Sequence, residues 1–239
     1  IKPSPQNIKL RSFDIIGIQV ITIMKKLFVP KLSHIPQTAE EIPRILDQED
    51  VIWQPIENVN WSNYSYHPIT YFRIAHSGDT IYIHYHVTED DIRAINSQDN
   101  GPVWEDSCCE FFSKFKDSDT YYNMECNCIG TLLIGAGESR KNRERASSEI
   151  LGKVDRWSSN GRHPFAERSG LITWDMTLKI PVTTYFKQHL QSISGAIIYA
   201  NFYKCGDKLG KKHYLSWNPI STPTPDFRQP IFFGELNFE

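Results

Sequence analysis

Between residues 103 and 130 the chain gathers an unusual density of side chains that can hydrogen-bond or move protons: Trp104, Glu105, Asp106, Glu110, Asn123, Glu125 and Asn127. Two chemistries use such groups. Paired carboxylates can cleave a glycosidic bond if they flank it across a cleft. Alternatively, carboxylates and amides reach the hydroxyls of a sugar while flat aromatic rings stack on its apolar C–H faces. Trp104 stands just before a strand, beside two carboxylates, and Trp217 ends a strand and is followed by Asn218. Both lie where loops leave a sheet, and binding residues concentrate there. Glu110 and Glu125 fall on strands expected to pair, so they could face each other. A salt-bridged or solvent-facing pair is the plainer reading of them.

Other groups in the chain are of types that serve metal or redox chemistry. The five cysteines are Cys108, Cys109, Cys126, Cys128 and Cys205, an odd number, so at least one thiol stays outside any internal bridge. Cys108 and Cys109 point to opposite faces of a strand, whereas Cys126 and Cys128 share a face. Such pairs could be zinc ligands, but zinc pairs sit on knuckle turns with wider spacing, and buried free thiols are the plainer reading. Unpaired thiols favour a reducing, cytoplasmic compartment. His76, His84 and His86 could be ligands. Solvated polar residues on one sheet face are the plainer reading, and a haem or redox role would also draw on Met124. Neither GxSxG, HExxH, a P-loop nor GxGxxG is present.

The elements that must position these residues are strands. Residues 106–115 and 121–128 are rich in aromatics and thiols, and the turn Lys116-Asp117-Ser118-Asp119 joins them. Residues 69–76 and 80–87 form another pair around Ser77-Gly78-Asp79. In the second, Tyr82, His84 and His86 alternate with Ile81, Ile83, Tyr85 and Val87. In residues 171–180, Ile172, Trp174, Met176, Leu178 and Ile180 share one face, which makes Trp174 a core residue rather than a ligand-stacking one. The charged segment 138–148 reads as a solvated loop that could drape its arginines beside the central hairpin. Residues 36–48 carry a helix signal, with Thr38 and Glu41 at capping-box spacing, and residues 181–190 read as a second short helix. On the order of ten strands with turns at sandwich spacing predict an all-β, antiparallel, two-sheet sandwich of jelly-roll or immunoglobulin-like type, with one or two short helices.

The 239 residues suffice for one such domain. A net charge of −2 marks neither a nucleic-acid binder nor a partner of anionic membranes. Residues 13–24 are an apolar run too short to span a bilayer, and no small-residue cleavage site follows them. Met24 resembles a translation start. Residues 1–23 are therefore expected to be a disordered extension or an artefact of start-site choice, with the domain over residues 24–239.

The order VTEDDIRA, VWEDSCCEFF, YYNMECNCIG, a charged loop, WDMTLKIP, ANFYKCGD and HYLSWNP…DFRQPIFFGELNF resembles the carbohydrate-binding family 9-like group, common in Bacteroidetes-type bacteria. The resemblance covers residues 24–239. It implies a sandwich of two antiparallel sheets, often with structural calcium, and a non-catalytic site for a mono- or oligosaccharide. In xylanase-attached members this is the reducing end of a glucan or xylan chain, held between two tryptophans. On the matching positions it implies Trp104 and Trp217 as stacking residues, Glu110 and Asn127 as hydroxyl ligands, and Asn218 as a polar neighbour. Where the xylanase module has an arginine two residues before the asparagine, this chain has Glu125, so the arginine would come from Arg140 or Arg143. The alternatives are a glycoside-processing enzyme using Glu110 with a second carboxylate, and the haem or redox role.

Overall fold

The structure, a computed structural model, describes residues 7–15 and 18–239, with side chains from residue 24 onward. In chain order the strands are β1 (Asn7–Ile15), β2 (Ile18–Val29), β3 (Gln54–Pro55), β4 (Asn58–Val59), β5 (Ile69–His76), β6 (Thr80–Ala94), β7 (Cys108–Phe115), β8 (Tyr121–Asn127), β9 (Leu132–Gly137), β10 (Glu144–Arg145), β11 (Asp155–Ser158), β12 (Phe165–Pro181), β13 (Ile197–Cys205), β14 (Tyr214–Ser216) and β15 (Gly234–Phe238). They form two sheets. The larger runs β1-β2-β15-β13-β7-β8-β9-β10, with β14 on β13 and β4 on β14, and the smaller runs β11-β12-β6-β5-β3. Among the described residues, all pairings between these strands but one are antiparallel. The exception is β15 against β2, where Glu235 sits beside Lys26 and Phe238 beside Val29.

The expected sandwich is thus present, and alternation explains it. Ile81, Ile83, Tyr85 and Val87 of β6 and Trp174, Met176, Leu178 and Ile180 of β12 face inward. They meet Phe111 of β7, Met124 of β8 and Phe202 of β13 in one buried cluster between the sheets. Phe202 stacks on Phe72 at 3.6 Å between ring centroids and on Phe111 at 4.9 Å. A buried ion pair joins the two sheets. Lys204 Nζ of β13 lies 2.7 Å from Glu89 Oε2 of β6, Trp174 Nε1 donates to Glu89 Oε1, and His213 Nε2 lies 2.8 Å from Lys204 Nζ. Trp174 is structural, as its stripe implied.

Helix α1 (Ile42–Gln48) lies where the sequence placed its first helix. It lays Ile42, Ile45 and Leu46 on Ala75 and Tyr82 of the smaller sheet. Neither half of the box forms: Thr38 makes no side-chain cap, and Glu41 Oε2 accepts from Gln37 N at 2.7 Å, one residue before the cap. Residues 181–190 hold only a single 3-10 turn, Val182–Thr184, because so short an apolar pattern does not separate a helix from a packed loop. The second helix is instead α2 (Ser148–Leu151), where Ser147 Oγ accepts from Ile150 N. The boundary drawn at Met24 falls within β2, and β1 and the start of β2 lie in the segment read as an extension. Residues 1–6 and 16–17 lie outside the described residues. Among the described residues, no helix is long and apolar enough to cross a membrane.

Candidate functional site

The outward side chains of β7, β8 and β13 build a second apolar layer on the far side of the larger sheet. Cys108, Phe112, Tyr121, Tyr203 and Cys205 are buried there under Phe227, Phe232 and Phe233 of the proline-rich segment. Where that cover stops, a cleft of about 390 Å³ opens. Its lining includes Trp104, Glu110, Glu125, Asp207, Tyr214, Asp226 and the guanidinium groups of Arg140, Arg143, Arg145 and Arg228. Register places the carboxylates. Glu110 of β7 is the direct cross-strand partner of Glu125 of β8, so both project from the same face of the sheet into the cleft. Trp104 sits on a 3-10 turn, Val103–Glu105, immediately before β7.

Each carboxylate is held differently. Glu125 Oε1 accepts from Arg228 Nη2 at 2.9 Å and from Asn123 Nδ2 at 2.8 Å. Its Oε2 is buried without a hydrogen-bond partner. Glu110 accepts from the Cys205 thiol at 3.1 Å. Burial, with the adjacent Glu125 charge adding to it, pushes the Glu110 carboxyl well above the usual carboxylate range. The pair therefore sets a carboxyl pushed toward its neutral form beside a second side chain with one oxygen left unpartnered. Asp226 lies 3.4 Å from Arg140. Arg143 is anchored by neutral acceptors, Asn123 Oδ1 and the carbonyls of Tyr121, Gly135, Gly137 and Ser139, with its guanidinium 3.9 Å above the Tyr121 ring.

Of the residues expected in a site, the structure brings together Trp104, Glu110 and Arg140. It places three elsewhere. Trp217 is a core residue, 1% exposed, packed edge-on against Phe72 and Phe202. Its strand end turns into the inter-sheet layer, so no sugar can stack on it without opening the core. Asn218 is buried beside it, accepting from Lys25 N and donating to the Phe232 carbonyl. Asn127 is buried too. It donates to the Asn96 carbonyl and to Asp106 Oδ2 and accepts from Thr131 N, so it ties the turn after β8. The hydrogen bonds of both amides are thus spent within the fold, on backbone groups and, for Asn127, on Asp106 as well.

The charged segment does drape its arginines beside the hairpin, and β10 brings Arg145 with them. Arg228, Asp226, Asp207 and Tyr214 carried no spacing signal. Long-range folding of the 218–230 loop over the sheet delivers the first two. The histidine reading fails on geometry. His84 Nε2 and His86 Nδ1 each lie 2.8 Å from the same Asp175 oxygen on the smaller sheet's outer face, whereas Met124 lies between the sheets. They do not converge on a haem.

Among the described residues, the one cluster of three acidic, thiol or imidazole ligand atoms within 4.8 Å is Cys108, Glu110 and Cys205. Two thiols suit zinc rather than calcium, and burial pushes the Cys108 thiol up, away from the ligating thiolate. No residue is assigned to calcium on this basis. All five cysteines are free and buried.

The architecture is that of a two-sheet β-sandwich with a polar cleft on one sheet, and comparison with known proteins gives the family. The family model for carbohydrate-binding family 9 matches residues 40–238. The chain belongs to that family. A solved Bacteroides uniformis ATCC 8492 protein described as carbohydrate-binding shares 46% identity over 90% of this chain and 99% of its own, with a TM-score of 0.88. Family 9 modules of Caldicellulosiruptor kristjanssonii, solved with glucose and with cellotriose, share the fold at TM-scores of 0.57 and 0.55. They are 13% and 12% identical, over 90% of this chain and 96% and 94% of theirs. Among curated proteins nothing matches.

Proposed function

We propose that the protein binds a saccharide without cleaving it, in the cleft beside Trp104. One observation carries this reading. The cleft combines an apolar ring at its mouth with a donor from Glu110, a free acceptor on Glu125 and several guanidinium groups, a set that matches the alternating apolar faces and hydroxyl rim of a sugar. Trp104 supplies one stacking surface, and Tyr214, which also lines the cleft, supplies the second ring in place of Trp217. Catalysis by Glu110 and Glu125 fits less well. Direct cross-strand partners stand side by side on one wall, whereas hydrolysis needs carboxyl groups on either side of the scissile bond.

The test is titration of tryptophan fluorescence with mono- and oligosaccharides, with calcium and after chelation, on the native chain and on Trp104→Ala. A saturable change weakened by about 1–3 kcal/mol in Trp104→Ala is expected, the scale for removing an aromatic anchor. An unaltered affinity in that variant would remove the site assignment. Turnover of aryl glycosides, lost in Glu110→Gln, would overturn the non-catalytic reading.

A further inference from the structure

The balance of charge in the cleft points to the ligand's class. Two of the four arginines that line it are matched to a carboxylate: Arg228 to Glu125 at 2.9 Å and Arg140 to Asp226 at 3.4 Å. The other two are not. Arg143 is fixed by an amide oxygen and backbone carbonyls, and the carboxylate whose charge it feels is Glu125, which Arg228 already binds. The exposed side chain of Arg145 lines the cleft from β10 without a side-chain hydrogen bond among the described residues, and the carboxylate whose charge it feels is Glu125. Partial burial disfavours the charged form of both.

The acids left over do not cancel these charges. Burial, with the Glu125 charge beside it, favours the neutral form of Glu110. Asp207 has Lys212 as a nearby opposite charge and a hydrogen bond with Tyr214. Arg143, Arg145 and Arg228 thus share the single charge of Glu125, which leaves cationic charge in the cleft for a ligand anion to match. A planar guanidinium fork matches a carboxylate with two parallel hydrogen bonds.

We infer that the saccharide is acidic: a sugar bearing a carboxylate, of the hexuronic acid type, whose anionic group lies against Arg145 and Arg143 while its ring rests on Trp104. This rests on the reading that the cleft holds a sugar. It does not follow from that reading, because neutral sugars would satisfy Trp104, Glu110 and Glu125 equally well.

Calorimetric titration of the full chain with glucuronate, its neutral isostere glucuronamide, glucose and glucose 6-sulfate separates the two. Glucuronate should bind about tenfold or more tighter than glucuronamide and glucose, the scale of one charge-assisted hydrogen bond. The gap should shrink in high salt and close in Arg145→Gln. Circular dichroism confirms that the variant is folded, and Arg145→Lys, which keeps the charge but loses the fork, should retain part of the preference. Equal binding of glucuronate and glucose overturns the acidic class and leaves saccharide binding standing. Preference for glucose 6-sulfate over glucuronate overturns the carboxylate assignment. Binding of none of the four by the native chain, when longer neutral oligosaccharides do bind, overturns the inference alone. Binding of no saccharide at all removes both.

Discussion

Glu110→Gln is the perturbation that bears most directly on the cleft's chemistry. In the folded protein Glu110 is 3% exposed, beside Glu125 and under the Cys205 thiol. That environment holds its carboxyl protonated well above the usual range. In the unfolded chain the same group titrates near pH 4.3. Between those two values the folded state binds more protons than the unfolded state, so Glu110 makes the native protein less stable as pH rises. The slope approaches about 1.4 kcal/mol per pH unit for a single group and flattens above the raised folded value. Glutamine has nearly the same shape and cannot ionise. The variant's stability minus that of the native chain should therefore climb with pH over this window, at up to that slope. Three buried or half-buried histidines, His76, His84 and His213, have lowered values and titrate with the opposite sign. Their contribution is present in both proteins and cancels in the difference. Urea unfolding of both proteins at steps from about pH 5 to 8 gives the difference directly. A difference that stays flat, or falls as pH rises, would refute the protonated Glu110.

Two further substitutions test the frame around the site. Trp217→Ala should cost about 3–5 kcal/mol in denaturant unfolding, because the ring is buried against Phe72 and Phe202. A near-neutral change would return Trp217 to the candidate ligand residues. Lys204→Met should cost about 3–5 kcal/mol by leaving Glu89 charged and alone between the sheets, and adding Glu89→Gln should recover much of that in the same assay. Additive losses in the double variant would mean that the two side chains are not coupled.

Much of the fold was legible because burial imposes a period of two on β6 and β12. A sandwich follows once Ile81, Ile83, Tyr85 and Val87 must share a face with Trp174 and Met176 opposite. The same alternation told Cys108 from Cys109 and left open that Glu110 could face Glu125, a pairing that only the register settles. The site was legible only as far as local sequence reaches. Trp104 and Glu110 are six residues apart along one turn and strand, and both line the cleft. Trp217 failed because a strand-end tryptophan followed by asparagine reads the same whether the chain turns outward to solvent or inward beneath β15. The deciding neighbour is Gly234, where even a Cβ would come within 2.5 Å of the Trp217 ring. The second short helix was misplaced because α2 spans only four residues, and its one clear signal, the Ser147 cap, lay inside a stretch dominated by charge.

Glu125 shows why a shared fold need not carry a shared set of ligand contacts. At the position where the resemblance implies a cation on β8, this chain has an anion, and the fold answers from outside the strand. Arg228 arrives from the proline-rich loop to bind Glu125 Oε1, with its guanidinium 5.8 Å from the Phe112 ring centroid, and Arg143 reaches Asn123 from the segment after β9. A strand position has one direction and one reach, whereas a loop can bring charge from several directions over the same sheet face. The result is a cleft whose cations outnumber their partners. The sheet register supplies a fixed pair of acids, and the loops above set which ligand those acids can be shared with.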